Sequence, residues 1–191
     1  MNKKLAVKDF ELRNFKLSSK GHPTVDWFDL TQTNELFSVE SDSEPHEDLV
    51  NKLAELKTVF AESLGLLAGW NFARENNRKN EEKLQEAVRC YNEEVLRCNV
   101  TGVKITDKGI KIIGSLICDE GNVSITSPLV KFENDNIELG LQAQSIVDDL
   151  QIEVWKFIYG GKRGNDLFSS EEKPEDKSGL GTNTDKQMSV A

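Results

Sequence analysis

Two histidines, His22 and His46, and three cysteines, Cys90, Cys98 and Cys118, stand beside a large stock of carboxylates in this chain of 191 residues. These are the side chains that could do chemistry. A zinc site needs about four His, Cys or carboxylate ligands at close spacing, and no local run here supplies them. His22 falls in a turn and His46 at a helix start, where it serves to seat the chain. A Ser or Cys nucleophile needs a base within hydrogen-bond reach. Only the two histidines could act as the usual base, and no Gly-x-Ser-x-Gly elbow is present. The adjacent acids Asp148 and Asp149 suit a solvated helix face. Gly160-Gly161-Lys162 lacks the spacing of a phosphate-binding loop. The expectation is a protein with no metal, no cofactor and no catalytic residue: not an enzyme, but a chain that works by binding.

One cluster could bind a nucleic acid. Lys162 and Arg163 follow the last helix and lie near Trp155 and Tyr159. Cations beside aromatic rings can neutralise phosphates and stack bases of a single strand. Lys and Arg also end a helix favourably through its dipole, and that simpler role is preferred.

The elements that would position these residues follow from periodicity. Residues 5–40 read as strands. Phe10 and Leu12 alternate, then Phe15 and Leu17 continue out of phase, so a bulge near Arg13-Asn14 is expected. Thr24 to Thr31 is rich in aromatic and β-branched residues and reads as a second strand. Glu35 to Ser41 is a third. Ser43-Glu44-Pro45-His46-Glu47-Asp48 opens a helix, because proline and acids suit a first turn. Leu49, Leu53, Leu56, Phe60, Leu64 and Leu67 then recur at helical spacing. Gly65 and Gly69 weaken the end of that helix, and residues 70–79 read as a polar connection or frayed helix. Asn80 caps a second helix with Leu84, Val88, Tyr91, Val95 and Cys98 on one face.

Further strands cover roughly 99–133. Thr101 to Thr106 pairs with Ile110 to Cys118 across Asp107-Lys108-Gly109. Asp119-Glu120-Gly121-Asn122 turns into Val123 to Phe132, with Pro128 at a strand end or edge. A last helix runs from about Leu141 to Tyr159. Val147, Leu150, Val154, Phe157 and Ile158 form its core stripe, and Ile152, Trp155 and Tyr159 a second one. Two apolar stripes require burial on both sides or contact with a partner chain, for instance a homodimer through this helix. Segregated strand and helix runs predict an α+β fold with an N-terminal and a central antiparallel β region. The expected organisation is one domain over 1–163 and a disordered acidic tail over 164–191, where almost nothing can be buried.

Composition narrows the setting. The net charge is −9, whereas a duplex-DNA binder usually shows a basic face. Three cysteines without a Cys-x-x-Cys pair point to a reducing compartment. Placed on one helix, Cys90 and Cys98 would stand roughly 12 Å apart, too far for a disulfide. Met1-Asn2-Lys3-Lys4 is followed by no apolar segment of a secretory signal. No apolar run approaches the roughly 20 residues of a membrane span. A cytoplasmic protein, in the host cytoplasm if phage-encoded, is expected.

Three stretches carry a resemblance. They are Ser43 to Leu49, Thr126-Ser127-Pro128, and the ending Tyr159-Gly160-Gly161-Lys162-Arg163-Gly164-Asn165-Asp166-Leu167-Phe168. Together, over roughly residues 7–168, they resemble a family of small phage and prophage proteins. Its members share an N-terminal strand region, a Pro-His helix start, a Thr-Pro strand and a Gly-Lys-Arg ending. The resemblance implies no enzyme activity and suggests a setting in phage DNA replication or recombination. The ending also resembles a bacterial sliding-clamp-binding peptide, broadly Gln-x-x-Leu-Phe. Gly164 stands where that peptide has Gln, and Leu167 and Phe168 follow Asp166 as its apolar anchors. Burying each anchor would contribute roughly 1.5–3 kcal/mol before ordering costs. The missing Gln amide would forfeit roughly 0.5–1.5 kcal/mol per hydrogen bond.

The leading expectation is therefore a non-enzymatic phage accessory protein of DNA replication or recombination, acting by protein contacts, with the host sliding clamp as one partner. The alternatives are an acidic inhibitor or decoy of a host defence protein, and a single-stranded nucleic-acid binder.

Overall fold

The computed structural model describes residues 5–32, 35–77, 79–133 and 137–162. Three strands come first: β1 (Phe10–Leu17), β2 (Pro23–Asp29) and β3 (Glu35–Glu40). Three helices follow, α1 (Glu47–Ser63), α2 (Ala68–Asn76) and α3 (Glu81–Leu96). The chain then returns to strands, β4 (Cys98–Thr106), β5 (Gly109–Cys118), β6 (Gly121–Thr126) and the short β7 (Val130–Lys131). It ends on α4 (Ile137–Tyr159). The fold is α+β.

The two β regions form one antiparallel sheet, in the order β3-β2-β1-β4-β5-β6, with β7 paired to the start of β5. The first strand of each region makes the join: Asn14, Phe15 and Lys16 face Lys104, Val103 and Gly102. The phase slip in β1 is a bulge. Pairing with β2 shifts between Leu12 and Asn14, so Arg13 is the extra residue. The bulge keeps Phe10, Leu12 and Phe15 on one face, where all three are buried.

That face is covered by helices, and the other is left open by the described residues. Buried residues alternate along β2, and Val103, Ile110 and Ile112 continue the same buried face into the second half. α1 packs on β4, and α4 packs on α1, β1 and β7. Leu49, Leu53, Leu56 and Phe60 of α1 are almost fully buried, as their spacing predicts. α1 ends in a Schellman motif: Gly65 N–H donates to the Glu62 carbonyl and Leu66 N–H to the Ala61 carbonyl, with Gly65 at φ 77°. A left-handed residue in that place is why glycine is used. Gly114 is fixed by space instead. A Cβ there would stand 2.3 Å from the Asn99 carbonyl oxygen and 3.0 Å from the Phe60 ring.

One open reading is resolved and three expectations change. Of the two readings of residues 70–79, a polar connection or a frayed helix, the helical one holds: α2 covers most of the segment. Cys98 does not end α3 but starts β4, where it is buried and its Sγ contacts the Glu94 carbonyl at 3.5 Å. α3 is also less buried than its stripe suggested: Ala87 is its one buried residue among those described, and Val88 is exposed. The last helix starts earlier than expected, and Leu141 is exposed. Pro128 falls just after β6, where the missing N–H costs no ladder bond. Among the described residues, no helix is long and apolar enough to cross a membrane.

Candidate functional site

His46 is the N-cap of α1, and its Nδ1 accepts a hydrogen bond from the Asp48 backbone N–H at 3.2 Å. An imidazole nitrogen thereby satisfies a donor that the helix leaves open. Asn80 does the same for α3, accepting from the Lys83 N–H at 3.2 Å. His22 sits in the β1–β2 turn, 3.9 Å from Asp42. Among the described residues no group of three His, Cys, Asp or Glu side chains could hold a metal ion.

The end of α4 is tied back to the start of α1. Lys162 donates to the Asp48 carboxylate and, at 3.1 Å, to Glu153. The Lys162 hydrogen bond holds the Asp48 carboxyl below its ordinary value. Burial pushes the Glu153 carboxyl up, but bonds from Lys156 and Lys162 outweigh it and lower that group too. The same bonds raise Lys162 against its partial burial. Lys52 adds a second tie, reaching Asp149 of α4 at 3.1 Å.

Trp155 and Tyr159 are likewise engaged within the chain. The Trp155 indole N–H donates to the Leu5 carbonyl at 2.8 Å. Tyr159 stands edge-on to Phe10 and Trp27, in a ring cluster that runs on to Phe37. Burial raises the Tyr159 phenol. The Trp27 indole lies close enough to oppose that rise but outside hydrogen-bond geometry, and its buried Nε1 has no partner. The second stripe of α4 is thus explained by partial burial of these two rings against the core, while Ile152 is left exposed. The structure brings Trp155, Tyr159 and Lys162 to one end of α4, where Trp155 and Lys162 are hydrogen-bonded within the chain. Arg163, Gly164, Asp166, Leu167 and Phe168 lie outside the described residues, as does the expected tail.

The groove between α2 and α3 was missed from the sequence. It encloses about 410 Å³ and is lined by Leu66, Leu67, Trp70, Ala73, Ala87 and Tyr91, with Lys83, Glu86 and Glu94 among its polar walls. The Trp70 and Tyr91 rings meet at 5.4 Å. Its size and apolar lining match those of a ligand or side-chain pocket. α2 buries none of its residues, and the same hairpin exposes Phe72 (69%) and Leu96 (72%). Trp70 and Phe72, two aromatics within a stretch read as polar, were the signal.

Cys90 lies at this groove and is exposed, whereas burial raises the Cys98 thiol and suppresses its thiolate. α1 and α3 are rich in Glu, as in Glu81, Glu82, Glu86, Glu93 and Glu94 of α3, while Lys16, Lys104 and Lys111 are exposed on the open sheet face. In comparison with known proteins, no family model matches this chain, and no curated protein or solved structure gives a significant match.

Proposed function

We propose that this is a non-catalytic binding protein, an accessory of phage DNA replication or recombination that acts through protein contacts. The observation that supports binding is the α2–α3 groove. It is an apolar concavity carried on a helical hairpin that gives few residues to the core. A partner would insert an apolar side chain between Trp70 and Tyr91, where burying one is worth about 1.5–3 kcal/mol. Aromatic-lined pockets of this kind are where binding energy concentrates.

The phage setting and the clamp partner rest on the resemblance of the ending. Leu167 and Phe168 would occupy a preformed groove on the host sliding clamp. Individually weak contacts gain strength on a ring with several identical sites. Pull-down of purified clamp by the full chain tests this part. Wild type is expected to retain clamp, and Leu167→Ala/Phe168→Ala to lose most of it; equal recovery by both rejects the clamp. Trp70→Ala tests the groove separately, because it leaves the ending untouched.

A second reading is favoured by the acidic helical layer: an inhibitor or decoy that occupies a basic host defence protein by electrostatic complementarity. Charge reversal at Glu86 and Glu93 would abolish such binding. Persistence of binding after reversal would exclude it.

A further inference from the structure

The open face of the sheet gathers three lysines of an otherwise acidic fold. Pairing sets Lys104 of β4 opposite Lys111 of β5. On the other side, Asn14 of β1 faces Lys104 and Lys16 faces Gly102, so Lys16 is the diagonal neighbour of Lys104. Opposed side chains on one face have Cβ atoms about 5 Å apart, and diagonal ones about 7–8 Å. All three lysines are exposed. Among the described residues, none of them has an ion-pair or hydrogen-bond partner. Glu40 stands two strands from Lys16, across Thr24, and the nearer carboxylates are engaged within the chain. Asp26 accepts from Asn14 at 2.9 Å and from Ser38 at 2.5 Å, and Glu11 and Asp107 hold Arg13 at 2.7 and 2.6 Å.

Like charges directly opposite each other destabilise a sheet. The chain has 33 acidic residues against 24 basic ones, so a carboxylate opposite Lys111 would be the ordinary solution. An anion laid across β1, β4 and β5 would remove the repulsion. The three lysines stand on three neighbouring strands of an open surface and line no pocket among the described residues, which favours an extended polyanion over a free phosphate. Thr24 and Ser115 share the face and offer hydroxyl donors of the sort that contact phosphates. Arg13 lies 4.7 Å over the half-buried Phe28 ring on the same face, and its guanidinium plane is a surface on which a base can stack. Among the described residues, no helix or ribbon rises from this face to enter a duplex groove.

We propose that the open sheet face binds the phosphate backbone of a single-stranded nucleic acid through Lys16, Lys104 and Lys111. This site lies apart from Trp155, Tyr159 and Lys162, and it depends on neither the α2–α3 groove nor the clamp. Leu167→Ala/Phe168→Ala should therefore leave it intact.

Fluorescence anisotropy of the full chain with labelled oligothymidylate, oligouridylate, duplex DNA and anionic vesicles, over a salt series, tests the proposal. Single strands should bind, with log K falling against log salt at a slope of about −2, as three neutralised phosphates require. The two single strands together show whether DNA or RNA is preferred. Lys104→Gln/Lys111→Gln should weaken binding at least about ten-fold and bring the slope towards −0.7. Its melting temperature should equal or exceed wild type, because the opposed charges are gone. Lys162→Gln should bind normally. No binding of single strands at low salt, equal affinity for the double variant, tighter binding to vesicles, or loss confined to Lys162→Gln would each overturn the proposal. So would a double variant less stable than wild type, because the lysines would then belong to the fold.

Discussion

α1 and α4 form one helix pair of this protein, α2 and α3 the other, and the two are used differently. α1 and α4 carry apolar stripes that meet each other and the sheet, and Phe60, Leu150 and Phe157 are almost wholly buried between them. Their ends are tied by Lys162 to Asp48 and by Lys52 to Asp149. α2 and α3 pack mainly on each other and leave Phe72, Val88 and Leu96 exposed, with an apolar groove between them. Amphipathicity alone does not separate the pairs. What separates them is whether the apolar side chains find partners within the chain. The first pair stabilises the fold, and the second is left with surface to offer.

Substitutions can break this contrast. Phe60→Ala should cost about 3–5 kcal/mol in urea denaturation, because the ring is fully buried. Phe72→Ala should change stability by no more than about 0.5 kcal/mol. Similar losses at both positions would end the distinction. Gly114→Ala should cost about 1–3 kcal/mol by overpacking, as its Cβ must displace either the β4 backbone or Phe60.

Loss of the Asn80 cap should cost about 1 kcal/mol of α3 stability. Asn80→Ala should appear mainly as faster amide exchange within α3. His46→Ala should instead lower the global unfolding midpoint, because α1 does not open by itself.

The smallest effect is on pH. Asp48 and Glu153 both titrate below their ordinary values. Their contribution is complete above the unfolded values and is lost as pH falls through the lower folded ones. Wild type should therefore lose melting temperature below about pH 4. Lys162→Gln should start lower and lose less over that window. Parallel pH curves for the two proteins would show that the Lys162 tie contributes nothing.

Much of the fold was legible in the residues. The 4-3-4 spacing of Leu49, Leu53, Leu56 and Phe60 gave α1 because every one of those positions is buried. The phase slip between Leu12 and Phe15 gave the bulge, since a strand must keep its apolar set on one face. The union of the two β regions was not legible, because no local pattern says that β1 pairs with β4. α2 was left between helix and connection because Asn and Arg residues mask Trp70 and Phe72, and the ring partner of Trp70 lies on another helix. The lysine cluster was within reach. The Asp107-Lys108-Gly109 turn, once read as a hairpin, brings Lys104 against Lys111 by counting outward. The tie of Lys162 to Asp48 was not, since it joins residues 114 positions apart.

Native-state amide exchange along the whole chain tests the division of labour most directly. The account predicts that α1 and α4 exchange only through global unfolding, while α2 and α3 open at clearly lower free energy. Protection of α2 and α3 equal to that of α1 would contradict it, because the hairpin would then belong to the folding core and would not be a surface held ready for a partner.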